Sequence, residues 1–313
     1  MTPPPRKIKK RVSRENDTPA SYFAKLYYIK RLHFILGPTA SGKTARAIQL
    51  AQLWDTEILS CDSRQFYSEL NIGVARPSPA ELAAATHHFI ACRSALEPFN
   101  VFTFEQEALA CLKKLFLTHD TVVAVGGSGL YVDALRHGIA LLPDPAPGLR
   151  QELQNKLRQE GVGSLRAMLR LLDPDYYALV DPANGVRIQR ALEVTLTAGI
   201  PYSKIVNQPH RPRPFETTVE VINRGRTELR QRIDSRVDSM MQQGLEAEAR
   251  SVFHLRHQGT LNTVGYKEFF ALWEPAGQPF PLTQTQRQEV ADAIRLNTWH
   301  YAKKQLTWLK KKA

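Results

Sequence analysis

The chain of 313 residues is poor in cysteine: Cys61, Cys92 and Cys111 are scattered and odd in number. They form neither a disulfide framework nor a metal-ligand pattern, and a reducing cytoplasm is the expected compartment. No apolar run reaches the roughly eighteen residues a membrane-spanning helix needs, so no membrane association is expected. The N-terminus lacks a continuous apolar segment followed by small residues, so no secretory signal is read. No internal repeat is present. Acidic residues are also scarce, with 30 Asp+Glu against 42 Lys+Arg and a net charge of +12. The rest is ordinary, 43% hydrophobic and 23% charged, which suits a globular protein with a sizeable core.

A basic balance of this size suits a polyanionic partner, nucleic acid above all, although a basic solvated surface gives the same count. Six basic residues and no acid lie between Arg6 and Arg14, and Lys303, Lys304, Lys310, Lys311 and Lys312 crowd the other end.

Residues 37–44 read Gly37, Pro38, Thr39, Ala40, Ser41, Gly42, Lys43, Thr44 and fit the phosphate-loop pattern G-x-x-x-x-G-K-[ST] without mismatch. The apolar stretch before them reads as a short buried strand, and 45–51 read as a helix. A glycine-rich turn entering a helix aims backbone N–H groups and the positive end of the helix dipole at an anion. Lys43 adds a charge for the outer phosphates, and the Thr44 hydroxyl is placed to ligate Mg²⁺. The loop indicates a polyphosphate without saying which one.

The organisation along the chain predicts an α/β fold, a P-loop NTPase-like parallel sheet flanked by helices, with a mostly helical insertion. Residues 1–30 read as a basic arm. The core is expected at 31–143 and 206–313, with strands at 33–36, 57–61, 121–125 and 217–223. Helices are expected near 79–86, 104–117, 226–257 and 286–310. The proline-rich break at 142–147 opens a helical insertion, 144–205, and Pro209, Pro212 and Pro214 mark its exit. Ligands of such sheets bind beyond the carboxyl ends of the strands, so the phosphate loop, Asp62 and the turn at 126–131 are expected to share one site.

Asp62, nineteen residues after Lys43 at a strand end, can act as a general base or hold Mg²⁺ through water, and as an Asp-Ser pair it also suits a turn cap. Glycines 126, 127 and 129 allow close approach to the backbone, with Ser128 as a hydrogen-bonding group. Arg224, Arg226, Arg230, Arg232 and Arg236 suit an anionic leaving group or a solvated helix face equally. Arg187 and Arg190 share a helix face suited to phosphate contacts. His87 and His88 lack a third ligand at usable spacing and read as capping or surface residues.

Taken together, these segments resemble the tRNA dimethylallyltransferase family over about 32–310. GPTASGKT at 37–44 is similar to that family's loop letter for letter. CDSRQFY at 61–67, NIGVARP at 71–77, GGSGLY at 126–131 and NGVRIQRALEV at 184–194 resemble four further segments in order. The Arg226…Arg232-Ile233 spacing, Val264-Gly265-Tyr266 and YAKKQLTW at 301–308 complete the resemblance.

The resemblance implies transfer of a dimethylallyl group from dimethylallyl diphosphate to the exocyclic amine of the adenosine 3′ of the anticodon. It implies that Asp62 is the general base. Lys43, Thr44, Mg²⁺, Arg226 and Arg232 would bind the leaving diphosphate, with residues 37–44 as its cradle. Asp62, Ser63, Arg64, Gln65, Ser128, Arg150, Val186, Arg187, Ile188, Gln189 and Arg190 would contact the tRNA anticodon stem-loop, and Lys303, Lys304 and Gln305 would face RNA. A monomer is expected. The sequence departs from the pattern at Ser128 (usually Thr), at Val74 and Arg76, and at Trp299, where Arg is usual. Competing readings are an enzyme that prenylates free adenine nucleotides, a nucleotide-type kinase and a non-catalytic RNA-binding protein.

Overall fold

The computed structural model describes residues 30–207 and 211–310. Residues 1–29 of the basic arm, Pro209, Lys311 and Lys312 lie outside the described residues.

Among the described residues, five strands form one parallel sheet in the order β3-β2-β4-β1-β5. They are β1 (Arg31–Leu36), β2 (Ile58–Ser60), β3 (His87–His88), β4 (Thr121–Gly126) and β5 (Glu216–Val221). The central strands β1 and β4 pair in register from Arg31 with Thr121 to Leu36 with Gly126. Their near-continuous apolar runs are what a sheet covered on both faces demands. Leu32, Phe34, Leu36, Val122 and Ala124 face one core, shared with Phe66, Phe104 and Leu135. Ile35, Val123 and Val125 face the other, against Ala47, Ile48 and Ala51.

The helices that build the site are α1 (Lys43–Leu53), α2 (Pro79–Ala84), α3 (Val101–Leu115), α4 (Gly129–His137), α10 (Arg226–Gln242), α11 (Leu245–Ser251), α12 (Lys267–Trp273) and α13 (Gln284–Leu309). Between α4 and β5 stand α5 (Leu149–Glu160), α6 (Val162–Leu172), α7 (Pro174–Leu179), α8 (Gly185–Ala198) and α9 (Tyr202–Val206). These five pack around their own cluster of Leu153, Leu165, Leu169, Val180, Ile188, Ala191 and Leu192.

The structure differs from the sequence expectations in detail. The pair His87-His88 is a short edge strand beside β2, with His88 Nε2 2.6 Å from Glu57 Oε2. Two residues carry no periodicity, so the strand was not readable. The stretch expected as helix over 226–257 divides at Gly244 (φ 96°), a left-handed position that ends one helix and starts the next. Helices α7, α9 and α12 are five to seven residues long, too short for a 3.6-residue period to register.

Candidate active site

The phosphate loop joins β1 to α1. Gly42 is left-handed at φ 93°, and so is Ala40 at φ 63°, a strained conformation for a residue with a side chain. A Cβ at Gly37 would lie 2.7 Å from Ser41 Oγ and 2.8 Å from the Ile222 carbonyl, so the loop closes against the end of β5 only with glycine there. Ser41 Oγ is buried without a hydrogen-bond partner. Lys43 Nζ donates to the Pro38 carbonyl at 2.7 Å, curling back over the loop.

Helix α10 lies across this loop and supplies arginines one helical turn apart. Arg232 Nε donates to the Ala40 carbonyl at 2.8 Å, and Arg236 Nη1 to Thr39 Oγ1 at 3.2 Å. Arg224, just before the helix, donates to the Ser41 carbonyl at 3.2 Å. The crowding has an electrostatic signature. Desolvation pulls the Lys43 ammonium down to about 8, with Asp62 opposing and Arg236 adding to the shift. The Arg236 guanidinium is lowered by desolvation and then by Arg232. Desolvated cations gathered at a phosphate loop suit an anion.

Two cavities adjoin here. One, of 570 Å³, is lined by Lys43, Thr44, Arg76, Arg232 and Gln305 among others. The other, of 310 Å³, is lined by Ser63, Arg64, Val237, Val264, Ile294 and Thr298. Thr39, Asp62, Val74, Ala75, Arg236, Met240 and Tyr301 belong to both walls. Asp62 therefore stands where a phosphate chamber meets a second, less basic chamber. Its Oδ1 accepts the Arg64 N–H at 3.0 Å, so it caps the following turn as well as facing both cavities. Burial pushes the Tyr301 phenol up to about 12, with Asp62 adding to the shift.

The turn after β4 is tied to the turn after β2. Ser128 Oγ accepts the Ser63 N–H and lies 3.1 Å from both the nitrogen and the hydroxyl of Ser63. Arg64 and Gln65 are engaged within the protein: Arg64 Nη1 donates to the Thr260 carbonyl at 2.8 Å, and Gln65 Nε2 to the Ala75 carbonyl at 2.9 Å. The segment 71–77 is held from its other side. Glu248 accepts the N–H groups of Ile72 and Gly73 and the Tyr266 hydroxyl. A Cβ at Gly73 would lie 2.5 Å from the Tyr266 ring, so Val264-Gly265-Tyr266 serves as a buttress for the cavity wall.

Other residues stand apart. Arg226 lies outside both cavities, its guanidinium 5.6 Å above the Trp299 ring, beside Arg230 at 5.7 Å. It shares a separate cleft with Lys303 and Lys310. Trp299, in place of the usual arginine, is thus a platform for two arginines. On α8, Val186 and Arg187 are exposed, while Ile188 is fully buried in the helical cluster and cannot offer its side chain to a partner. Gln189 and Arg190, with Arg150 from α5, all bond Glu193 at 2.9–3.2 Å. Gln305, grouped by the resemblance with RNA-facing lysines, is buried and points into the site. Arg236 was read with four other arginines as suited equally to an anionic leaving group or a solvated helix face, and its place one turn from Arg232 brings it to the phosphate loop. Tyr301 and Glu248 were not singled out for the site, and nothing local marked them.

Thr44 and Asp62 offer hard oxygen donors in one chamber, and no cluster of three or more His, Cys, Asp or Glu suited to a metal occurs among the described residues. That set fits an ion held by one or two protein oxygens, water and substrate phosphate, the habit of Mg²⁺. Among the described residues no helix is long and apolar enough to cross a membrane.

A family model described as IPP transferase matches residues 65–312. The tRNA dimethylallyltransferase 2 of Porphyromonas gingivalis is 41% identical over 280 residues, covering 90% of this chain and 91% of that protein. The tRNA dimethylallyltransferase of Christiangramia forsetii is 41% identical over 277 residues, covering 88% and 89%. Among solved structures, the full-length tRNA isopentenylpyrophosphate transferase of Bacillus halodurans matches with a TM-score of 0.62 at 30% identity, over 91% of this chain and 88% of that one. A eukaryotic dimethylallyltransferase acting on tRNA shares the fold, with a TM-score of 0.70 at 22% identity over 90% and 70%. With a phosphate loop, an aspartate between two chambers and relatives matched along nearly their whole length, the chain belongs to the tRNA dimethylallyltransferase family of prenyltransferases.

Proposed function

We propose that the protein transfers a dimethylallyl group from dimethylallyl diphosphate to the exocyclic amine of the adenosine 3′ of the anticodon in tRNA. The observation that carries this reading is the position of Asp62, on the wall common to the phosphate chamber and its neighbour. A diphosphate on residues 37–44 directs its prenyl carbon toward that wall, and an adenine amine entering from the other chamber meets it there. The amine lone pair forms the N–C bond as the C–O bond breaks. The bonding electrons leave with the diphosphate, and the amine proton passes to the Asp62 carboxylate.

Each side chain has a physical task. Lys43, Arg232 and Arg236 offset the charge that grows on the departing oxygen, which is where fixed cations lower a barrier most. Thr44 would hold Mg²⁺, which would supply further charge neutralisation on the diphosphate. Asp62 orients the weakly nucleophilic amine and accepts its proton. Val74, Met240 and Val237 offer apolar walls for the prenyl group. A loop nucleotide leaves its stack at lower cost than a paired one. The helical insertion, 144–205, would meet the stem of the RNA, with exposed Arg187 on a phosphate and Val186 beside it while Arg150 and Arg190 hold Glu193, and the protein would act as a monomer.

The test is incubation with unmodified tRNA, Mg²⁺ and labelled dimethylallyl diphosphate, with AMP and ATP in parallel. Label in tRNA that disappears with Asp62→Ala supports the reading. Label in AMP alone, or ATP hydrolysis without label transfer, overturns it.

A further inference from the structure

Gln305 lies on α13, 266 residues from the phosphate loop it touches, and is 7% exposed. Its side-chain oxygen accepts the Thr39 N–H at 2.7 Å. Its side-chain nitrogen donates to the Gly127 carbonyl at 2.9 Å. The fit is close enough that a Cβ on Gly127 would stand 2.3 Å from that nitrogen, so a side chain there would displace the amide from its place. Each partner belongs to a working part of the site. Thr39 receives Arg236 on its hydroxyl. Gly127 precedes Ser128, which holds Ser63 beside Asp62.

We infer that Gln305 is a positioning residue: its amide fixes the phosphate loop to the Gly127–Ser128 turn and so sets the distance between the bound diphosphate and the aspartate. The inference rests on the function proposed above and adds a part to it. A primary amide accepts from an N–H on its oxygen and donates to a C=O from its nitrogen at the same time. A thioether of the same length fills the space and does neither. A carboxylate accepts and cannot donate until it is protonated.

That chemistry supplies the test. Gln305→Met and Gln305→Glu are compared with wild type for binding of inorganic pyrophosphate by calorimetry at pH 5 and pH 8, with Mg²⁺ constant. Unpaired buried groups in the loop are expected to weaken binding by about tenfold in Gln305→Met, equally at both pH values. Gln305→Glu is expected to bind as poorly or worse at pH 8 and to recover toward wild type at pH 5, where the acid regains a proton to donate to Gly127. Should Gln305→Met fail to fold, the pH response of Gln305→Glu carries the test alone. Wild-type affinity in both variants, or an equal deficit of Gln305→Glu at both pH values, overturns the inference. Wild-type label transfer to tRNA is measured separately, so failure of the proposed function is told apart from failure of this one.

Discussion

The sheet-borne site and the helical bundle at 149–206 treat positive charge in opposite ways. In the bundle, arginines are neutralised in place: Arg150 and Arg190 converge on Glu193, whose carboxyl they and Gln189 hold below its usual range against the opposing effect of burial. In the site, Lys43 and Arg236 take neutral oxygens as hydrogen-bond partners, Pro38 O and Thr39 Oγ1, and both are shifted downward by desolvation. A paired arginine holds a shape. A crowded, desolvated cation waits for an anion. Arg224 and Arg232 stand between these cases, since they reach Glu228 at 3.2 and 3.8 Å as well as the loop carbonyls. Charge count alone, +12 for the chain, does not distinguish the two, and the placement of carboxylates does.

Four measurements press on that contrast. The largest effect is expected from Asp62→Asn, which keeps the turn-capping oxygen and removes the base. Transfer to tRNA should fall about 10²–10⁴-fold with pyrophosphate affinity nearly unchanged; a loss of binding instead would make Asp62 a structural residue. Next, Ile188→Ala should destabilise the bundle by about 2–5 kcal/mol, seen as an early step in thermal unfolding. It should weaken tRNA binding while leaving pyrophosphate binding intact, and a single shifted transition with both lost would show that the two regions unfold as one.

The third test uses pH. The ammonium is the form of Lys43 that attracts diphosphate, and it loses its proton near pH 8. The affinity advantage of wild type over Lys43→Met for pyrophosphate should therefore fall by about tenfold between pH 7 and pH 9, the ratio cancelling the titration of the ligand itself. Stability of the empty protein moves the other way. The unfolded chain keeps that proton to the ordinary 10.5, so the wild type gains on Lys43→Met as pH rises from 8 toward 9.5. The smallest effect belongs to Arg187, exposed on α8 and outside the Glu193 group. Arg187→Ala should weaken tRNA binding a few-fold and reduce the slope of log K against log salt by up to about 0.9. An unchanged slope would remove this arginine from the RNA face.

The parts legible in the sequence are those written in contiguous residues. The phosphate loop, the β-branched run of β4 and the apolar spacing of α3 and α8 each specify a local shape, and the fold class follows from their alternation. Asp62 was readable because it follows a strand beside that loop. What sequence order hides is which distant residues close the site. Glu248 and Tyr266 brace the 71–77 wall across about 175 residues of chain for Glu248, and their letters look like ordinary helix and turn residues. Burial is hidden too. Ile188 and Gln305 sit in segments that resemble RNA-contacting ones, yet a helix shows only one side outward. The direction of each side chain depends on what packs behind it.

The bond from Gln305 to the phosphate loop also bears on how the molecule comes into being. Strand β1 and its loop are among the first parts of the described chain to be synthesised, and their amide partner is among the last. Contacts this far apart form late because the intervening chain must be ordered first. The loop thus remains without one of its hydrogen bonds until translation has passed residue 305 and α13 has docked. A product cut short between residues 44 and 305 would carry the whole phosphate-loop motif and lack the clamp that holds it in register.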